Sequence, residues 1–196
     1  MNYYVLHKPY GYLSQFTPEG KWKGLGELHQ FPKDVYAVGR LDADSEGLLL
    51  LTNDKSINHL LLNPKFKHKR LYSAEVEGIP ELDQLVLFET GMPLNYKGKV
   101  VYTSPARAVQ VQSPSWLETR NPPIRVRKNS PTSWLELELT EGKNRQVRKM
   151  TAHVGLPTLR LIRSGIEGFQ IEDYPQGSVT EISKEEFYEK CNLITP

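Results

Sequence analysis

Residues 39–54 read GRLDADSEGLLLLTND, and this stretch determines how the rest of the chain can be organised. An apolar run at residues 35–38 leads into it, and a run of leucines at residues 48–51 leaves it. Between the two runs lies a short polar loop with one arginine and three carboxylates. Buried strands on both sides of a loop hold its side chains in place, which favours a role in chemistry. The alternative is a surface turn whose carboxylates are only solvated.

The composition is that of an ordinary globular protein. The chain has 196 residues, 38% hydrophobic and 24% charged, enough for one core or for two small lobes that share a cleft. Its apolar runs are far shorter than a membrane-spanning helix requires, and residues 1–4 do not begin a secretory signal. The single cysteine, Cys191, excludes an internal disulfide and fits a reducing compartment. We therefore predict a cytoplasmic protein without membrane contact and, by default, a monomer.

Basic residues are grouped along the chain, although the net charge is only +2. The groups lie at residues 65–70, 120–128, 143–149 and 160–163, whereas acidic residues concentrate at residues 181–189. If folding brings the basic groups to one face, that face attracts a polyanion. Each group alone is equally consistent with a solvated surface, but the four together favour a polyanionic partner.

Hydrophobic periodicity predicts an α+β fold with flanking helices and a mixed, mostly antiparallel sheet. The predicted strands are residues 3–6, 35–38, 48–52, 71–77, 100–102, 106–111, 134–139, 159–162 and 179–182. The predicted helices are residues 55–62, capped by Asn53 or Asp54, and residues 80–88, 144–154 and 184–190. In the second helix Leu82, Leu85 and Val86 are expected to face inward. Residues 113–131, rich in proline and basic side chains, are expected to form a long functional loop.

Residue types and their spacing exclude several kinds of site. The five histidines are not paired at metal-ligand spacing, which argues against zinc. No nucleophile elbow, phosphate loop or dinucleotide fingerprint occurs. Asp42, Asp44, Glu46 and Gly47 stand at the first, third, fifth and sixth positions of a calcium loop. However, leucines follow, and Asn53 stands where a bidentate glutamate is needed. We expect no metal site.

What remains is carboxylate chemistry close to arginines and aromatic rings. A carboxylate can act as nucleophile or base toward a glycosidic carbon or an electron-poor ring. A buried arginine beside it keeps it ionised. An enzyme that acts on a nucleobase must also take its target out of a stack, which requires one side chain to fill the gap and an aromatic ring to hold the base.

Five motifs resemble those of the RsuA/Rlu branch of RNA pseudouridine synthases, in that family's order. They are HKPYG at residues 7–11, VGRLDADSEGLL at 38–49, KRLYSAEV at 69–76, EGKNRQVRKM at 141–150 and GLPTLRLIR at 155–163. Residues 120–125 and 131–135 look like the E-type enzymes of that branch, which act on large-subunit ribosomal RNA. The resemblance implies the pseudouridine synthase catalytic fold as one domain over residues 1–196, with a central RNA-binding cleft. Many relatives begin with an S4-type domain, and we expect none here.

The resemblance also implies a role for each matching residue. Asp42 would be the essential carboxylate, attacking the uracil ring or C1′ while the C1′–N1 bond is exchanged for C1′–C5. Arg148 would pair with Asp42, and Tyr72 would stack on the extruded base. Leu161 would shape the base pocket, and Arg40 would fill the gap left by the base. The other predicted RNA contacts are Lys69, Arg70, Arg125, Arg127, Lys143, Arg145, Lys149, Arg160 and Arg163. No metal and no cofactor is implied.

Without the family, some of these residues have simpler interpretations. Tyr72 on an alternating strand fits a core position, and Arg148 fits a charge favoured near a helix C-terminus. Asp44 and Glu46 fit acceptors that hold the turn. Lys8 fits a link between loops.

The sequence therefore predicts an isomerase that converts one uridine of large-subunit ribosomal RNA to pseudouridine. Two alternatives remain open. A non-catalytic rRNA-binding or ribosome-assembly module on the same fold would bind RNA without chemistry. A nucleosidase would use Asp42 with Glu46 as an acid/base pair and would release free uracil.

Overall fold

A computed structural model describes residues 1–124 and 130–193. The chain divides into two compact units. The first consists of Met1–His68 together with Ile162–Pro196, and the second of Lys69–Leu161. The second unit is therefore an insertion in the sequence of the first. Each unit has a hydrophobic cluster of its own.

The elements confirm the predicted α+β class. The strands are β1 (Tyr3–Lys8), β2 (Tyr36–Val38), β3 (Glu46–Thr52), β4 (Arg70–Glu77), β5 (Pro93–Tyr96), β6 (Lys99–Tyr102), β7 (Arg107–Val111), β8 (Thr132–Leu139), β9 (Thr158–Ile166), β10 (Phe169–Gln170) and β11 (Val179–Ile182). The helices are α1 (Lys55–Leu62), α2 (Leu82–Thr90), α3 (Gln146–His153) and α4 (Lys184–Lys190). In the part of the chain that the structure describes, no helix is long and apolar enough to cross a bilayer.

The first unit contains a mixed sheet. β1 lies between β3 and β11 and is antiparallel to both. β2 is antiparallel to β3, and β10 is antiparallel to β9. β3 and β9 are parallel, in a register that places Glu46 opposite Ile162 and Gly47 opposite Arg163. Strands β1 and β3 are buried along their whole length, which explains the uninterrupted leucine run in β3.

Asp54 connects three elements of the first unit. Its carboxylate accepts a hydrogen bond from Ser56 N at 3.1 Å and caps α1, as predicted for residue 53 or 54. The hydroxyls of Tyr3 on β1 and Tyr188 on α4 each donate to Asp54 Oδ2 at 2.8 Å. Burial is the largest single influence and raises the pKa of Asp54, but the hydrogen bonds from Ser56, Tyr188 and Tyr3 together lower it below its ordinary value.

In the second unit, β8 lies between β4 and β7 and is antiparallel to both. The inward face predicted for β4 is confirmed, since Tyr72, Ala74 and Val76 are buried, but Ser73 on the predicted outer face is buried as well. Val147 and Met150 of α3 belong to the same hydrophobic cluster as these residues. β5 and β6 form a separate antiparallel hairpin, of which the sequence predicts only β6.

Helix α2 differs from its prediction. Leu82 and Val86, expected to face inward, are 78% and 45% exposed, whereas Phe88 is fully buried and Leu85 only partly buried. At about 100° per residue, Leu82 and Val86 lie about 120° and 160° around the helix from Phe88. The inner face also holds Gln84, whose Nε2 donates to a backbone carbonyl just after α3 at 2.7 Å. Phe88 and Gln84 thus set the orientation of α2 and turn the predicted stripe outward.

Candidate functional site

The loop between β2 and β3 carries Asp42, the predicted carboxylate. An earlier segment of the chain holds the backbone of this loop. Ser14 Oγ donates to Leu41 O and accepts from Leu41 N, both at 2.8 Å, and Gly11 N donates to Ala43 O at 2.8 Å. Bonds on both sides of Asp42 therefore fix its backbone, while its side chain is half-buried. This matches the rigid charged loop expected from the sequence.

The loop leads into β3, which meets β9 at Glu46 and Gly47. Ser45 N donates to Asp42 O at 3.0 Å and closes a turn. Gly47 has φ +105°, and a Cβ on it would lie 2.3 Å from Arg163 O and 2.6 Å from Arg163 N. Only glycine permits both this backbone conformation and this close approach. The position of the loop relative to β9 therefore depends on residue 47 having no side chain.

Lys8 is a fully buried lysine at the end of β1. Its Nζ donates to Tyr12 O at 2.7 Å and to Pro9 O at 3.0 Å. Burial lowers the pKa of Lys8 to about 7. The charge of Arg163 acts in the same direction, while the nearby carboxylates Glu46, Asp44 and Asp42 oppose the shift. Lys8 therefore holds the segment after β1, close to the carboxylates of the Asp42 loop. Both bonds lie within one loop, so the predicted link between loops stays a prediction.

The depressed pKa of Lys8 predicts a specific pH dependence of stability. Between pH 7 and the ordinary value of 10.5, the unfolded chain binds a proton at Lys8 that the folded protein does not, so this residue makes stability rise with pH. Below pH 7 both states carry the proton, and the full cost of burying the charge remains. From pH 7 to pH 9 we expect the free energy of unfolding of the native protein to increase by about 2 kcal/mol relative to Lys8→Met.

Urea denaturation at the two pH values measures this difference. Lys33→Met, at an exposed lysine, is the matched control and should follow the native protein at both pH values. Parallel pH profiles of the native protein and Lys8→Met would contradict the prediction.

Glu46 and Arg163 are buried charged residues on the paired strands β3 and β9. Glu46 is 1% exposed and accepts from Gln176 Nε2 at 3.2 Å. Arg163 is 4% exposed and donates from Nε to Leu48 O at 2.8 Å. The predicted RNA contact of Arg163 does not fit this burial, because its guanidinium group is enclosed by the protein and bonded to β3.

The other predicted RNA contacts differ in exposure. Arg160 is 5% exposed and donates from Nη1 to Glu118 O at 2.9 Å, so its predicted RNA contact does not fit either. Arg125 and Arg127 lie outside the described residues. The exposed members are Arg40, Lys69 and Arg145, and the partly exposed members are Arg70, Lys143 and Lys149.

Glu141 organises the segment before α3, a role that the sequence does not reveal. Its carboxylate accepts hydrogen bonds from Gln146 Nε2 at 2.6 Å, from Ser104 N at 2.9 Å and from Lys143 Nζ. Burial is the largest single influence and raises the pKa of Glu141, but these hydrogen bonds outweigh it and lower the pKa. The anchored segment presents Arg145, which is exposed and has φ +50°.

The three residues predicted to support the active site, Tyr72, Arg148 and Leu161, lie in the second unit, whereas Asp42 lies in the first. Tyr72 on β4 and Leu161 on β9 are 9% and 5% exposed and belong to one hydrophobic cluster. Arg148 is half-buried on α3 and donates from Nη1 to Thr158 O at 3.3 Å. The structure therefore brings Tyr72 and Leu161 into one cluster and bonds Arg148 to the first residue of β9.

Sequence reasoning missed two residues that hold the loop and its strand. Ser14 fixes Leu41 across 27 residues of chain, and Gln176 binds Glu46 across 130 residues. Neither lies at a position that a periodic pattern marks. Within residues 1–124 and 130–193, no group of three or more histidine, cysteine or acidic side chains could hold a metal ion.

Comparison with known proteins gives consistent matches over most of the chain. The sequence profile of the family described as RNA pseudouridylate synthase matches residues 2–153. A Xanthomonas axonopodis pv. citri protein named ribosomal large subunit pseudouridine synthase E is 47% identical, over 86% of this chain and 87% of its own length. A Vibrio vulnificus protein of the same name is 45% identical, over 91% of this chain and 74% of its own length.

A solved structure matches the fold as well. A crystal structure of a pseudouridylate synthase superposes with a TM-score of 0.75, covers 96% of this chain and 73% of that protein, and is 22% identical in sequence. At this identity the match concerns the fold alone. The chain that carries the motifs around Asp42 and Arg148 therefore shares the fold of that protein.

Proposed function

We propose a function for this chain from one premise: the chain belongs to the RNA pseudouridylate synthase family. It is an isomerase that converts uridine in RNA to pseudouridine. The substrate we propose is one uridine of large-subunit ribosomal RNA. The observation that carries this choice is the 47% identity to a relative that bears the name of a large-subunit enzyme. We place the activity in the cytoplasm and assign it to a monomer that needs no metal and no cofactor.

In the proposed reaction Asp42 is the essential carboxylate. It forms a bond to either the uracil ring or C1′, the C1′–N1 bond breaks, a C1′–C5 bond forms, and the bond to Asp42 breaks again to restore the carboxylate. The C5 proton leaves to solvent and N1 gains a proton, so the product is an isomer of the substrate. The hydrogen bonds of Ser14 and Gly11 to the loop support this role, because they fix the backbone on both sides of Asp42.

We propose that residues of the second unit hold the flipped base. Tyr72 stacks on the flipped uracil, and Leu161 forms the apolar wall of its pocket. Their membership in one hydrophobic cluster supports this pairing. Arg148 supplies a positive charge to the proposed reaction. Arg40, which is exposed, fills the gap that the base leaves in the RNA.

RNA recognition is assigned to the accessible basic side chains. Exposed or partly exposed guanidinium and ammonium groups can reach phosphates of an RNA. The set is Arg40, Lys69, Arg70, Lys143, Arg145 and Lys149. The buried residues Arg160 and Arg163 hold the protein together instead.

Tritium release tests the proposed function directly. Large-subunit ribosomal RNA labelled with tritium at C5 of uridine should release tritium into water when incubated with the protein, because C5 exchanges its hydrogen for C1′. Small-subunit ribosomal RNA labelled in the same way is the matched control and should release none above background. No release from either RNA would overturn the proposal.

The products also distinguish the alternatives. Free uracil would indicate a nucleosidase, but the burial of Glu46 and its bond to Gln176 disfavour Glu46 as the acid/base partner of Asp42. Tight RNA binding without tritium release would indicate a non-catalytic module on the same fold.

A further inference from the structure

Helix α2 and Ile79, three residues before the helix begins, present apolar side chains to solvent. This surface, the α2 face, consists of Ile79, Leu82, Val86 and Leu87, which are 62%, 78%, 45% and 43% exposed. Leu82 and Val86 are four residues apart and therefore lie side by side along the helix. Phe88 and Gln84 hold α2 in its orientation. The helix therefore cannot rotate to bury this face.

The core of the second unit does not require these side chains. Its hydrophobic cluster is built from other residues, among them Phe88 of α2. Exposed apolar residues that occur singly are normal, but several neighbouring ones on one helix face are typical of a surface that binds a partner.

The charge around the α2 face identifies the kind of partner. From residue 71 to residue 96 the chain has no lysine, arginine or histidine, although the whole chain carries a net charge of +2. The same stretch contains five acidic residues, Glu75, Glu77, Glu81, Asp83 and Glu89. The three of them on or next to α2 are exposed at its two ends, Glu81 and Asp83 at the start and Glu89 at the end. The apolar surface is therefore bordered by negative charge.

This combination disfavours three other occupants. Phosphate groups of RNA and the headgroups of an anionic membrane are repelled by carboxylates. A second copy bound through the same face would bring equal charges together, because a two-fold contact is self-complementary. A segment with both cationic and apolar side chains matches the surface in charge and in hydrophobicity.

We propose that the α2 face binds a lysine- and arginine-rich segment, with exposed apolar side chains, of a protein that is already bound to the RNA substrate. The inference rests on the proposed function, since large-subunit ribosomal RNA in the cell carries cationic proteins. Basic residues of the enzyme then contact the RNA, and the α2 face contacts a protein beside it. Such a contact favours an assembling ribonucleoprotein particle over bare RNA.

Binding measurements test this proposal without relying on catalysis. The probes are protein-free large-subunit ribosomal RNA and large-subunit particles that contain the same RNA with its proteins, both at physiological ionic strength. The variant L82Q/V86Q removes the apolar contact but keeps good helix formers in α2. Val100→Thr, at an exposed strand residue outside the α2 face, is the matched control.

We expect L82Q/V86Q to raise the Kd for the particle by about tenfold or more, because two aliphatic side chains lose their burial. The Kd for protein-free RNA and the thermal unfolding midpoint should not change. Glu89→Lys should raise the Kd for the particle in the same direction, and Val100→Thr should leave it unchanged.

Several results would overturn the proposal. These are an unchanged Kd of L82Q/V86Q for the particle, an equal increase for both probes, or native protein that binds the particle no more tightly than bare RNA. Self-association of the native protein that L82Q/V86Q abolishes would identify a second copy as the occupant instead. Absence of tritium release with a retained difference in Kd would contradict the proposed function but not the protein contact.

Discussion

Asp42→Asn is expected to lower the rate of tritium release from large-subunit ribosomal RNA by about 10⁴-fold or more. The amide has nearly the same shape as the carboxylate but is not a nucleophile and carries no charge. Since the loop is held through backbone atoms by Ser14 and Gly11, the substitution should leave the loop in place. RNA affinity and the free energy of unfolding should therefore stay close to those of the native protein.

Asp44→Asn is the matched control, because it makes the same chemical change two residues away in the same loop. We expect it to lower the rate by about fivefold or less, as for a residue that supports a turn rather than takes part in the reaction. Undiminished release by Asp42→Asn, or an equal loss in both variants, would contradict the assignment of Asp42.

Gly47→Ala is expected to reduce the free energy of unfolding by about 4 kcal/mol. The added Cβ would lie 2.3 Å from Arg163 O and 2.6 Å from Arg163 N, and the residue would be forced to hold φ +105°. Both obstacles involve backbone atoms, so no change of rotamer relieves them. Relief requires β3 and β9 to move apart at their parallel pairing.

Urea denaturation measures this loss, and Gly142→Ala is the control. A Cβ on Gly142 meets nothing within 4 Å, so its free energy of unfolding should change by about 0.5 kcal/mol or less. A loss of less than about 1 kcal/mol in Gly47→Ala would show that the strands adapt and that the close approach is not required.

The parts of the fold that follow from local patterns were predictable. The polar residue before α1, the inward face of β4 and the stripe of Val147 and Met150 on α3 each depend on residues close in sequence. They were confirmed because caps and periodicity act over one or two turns. The same reasoning placed Leu82 and Val86 inward, since periodicity shows that a helix has an apolar side but not which side the protein covers.

In the candidate site, too, local patterns predict some features and distant contacts determine the others. Motif resemblance selects Asp42, Tyr72 and Arg148 as site residues, and those assignments remain proposals. The contacts that hold the loop could not be predicted, because Ser14 and Gln176 act on distant residues without a motif of their own. The burial of Arg163 also depends on the pairing of β3 with β9, which no local pattern encodes.

The interruption of the first unit by the second has a consequence for protein synthesis. Residues 69–161 are contiguous, so a nascent chain can complete the second unit before the later part of the first unit, from residue 162 onward, has been made. β1, although made first, needs β11 as its neighbour, and Gly47 needs Arg163. The carboxylate loop therefore acquires its full support only after β9 and β11 have left the ribosome. Asp42, the carboxylate that we propose reacts, therefore gains this support only after residue 182 has been translated, long after Asp42 itself.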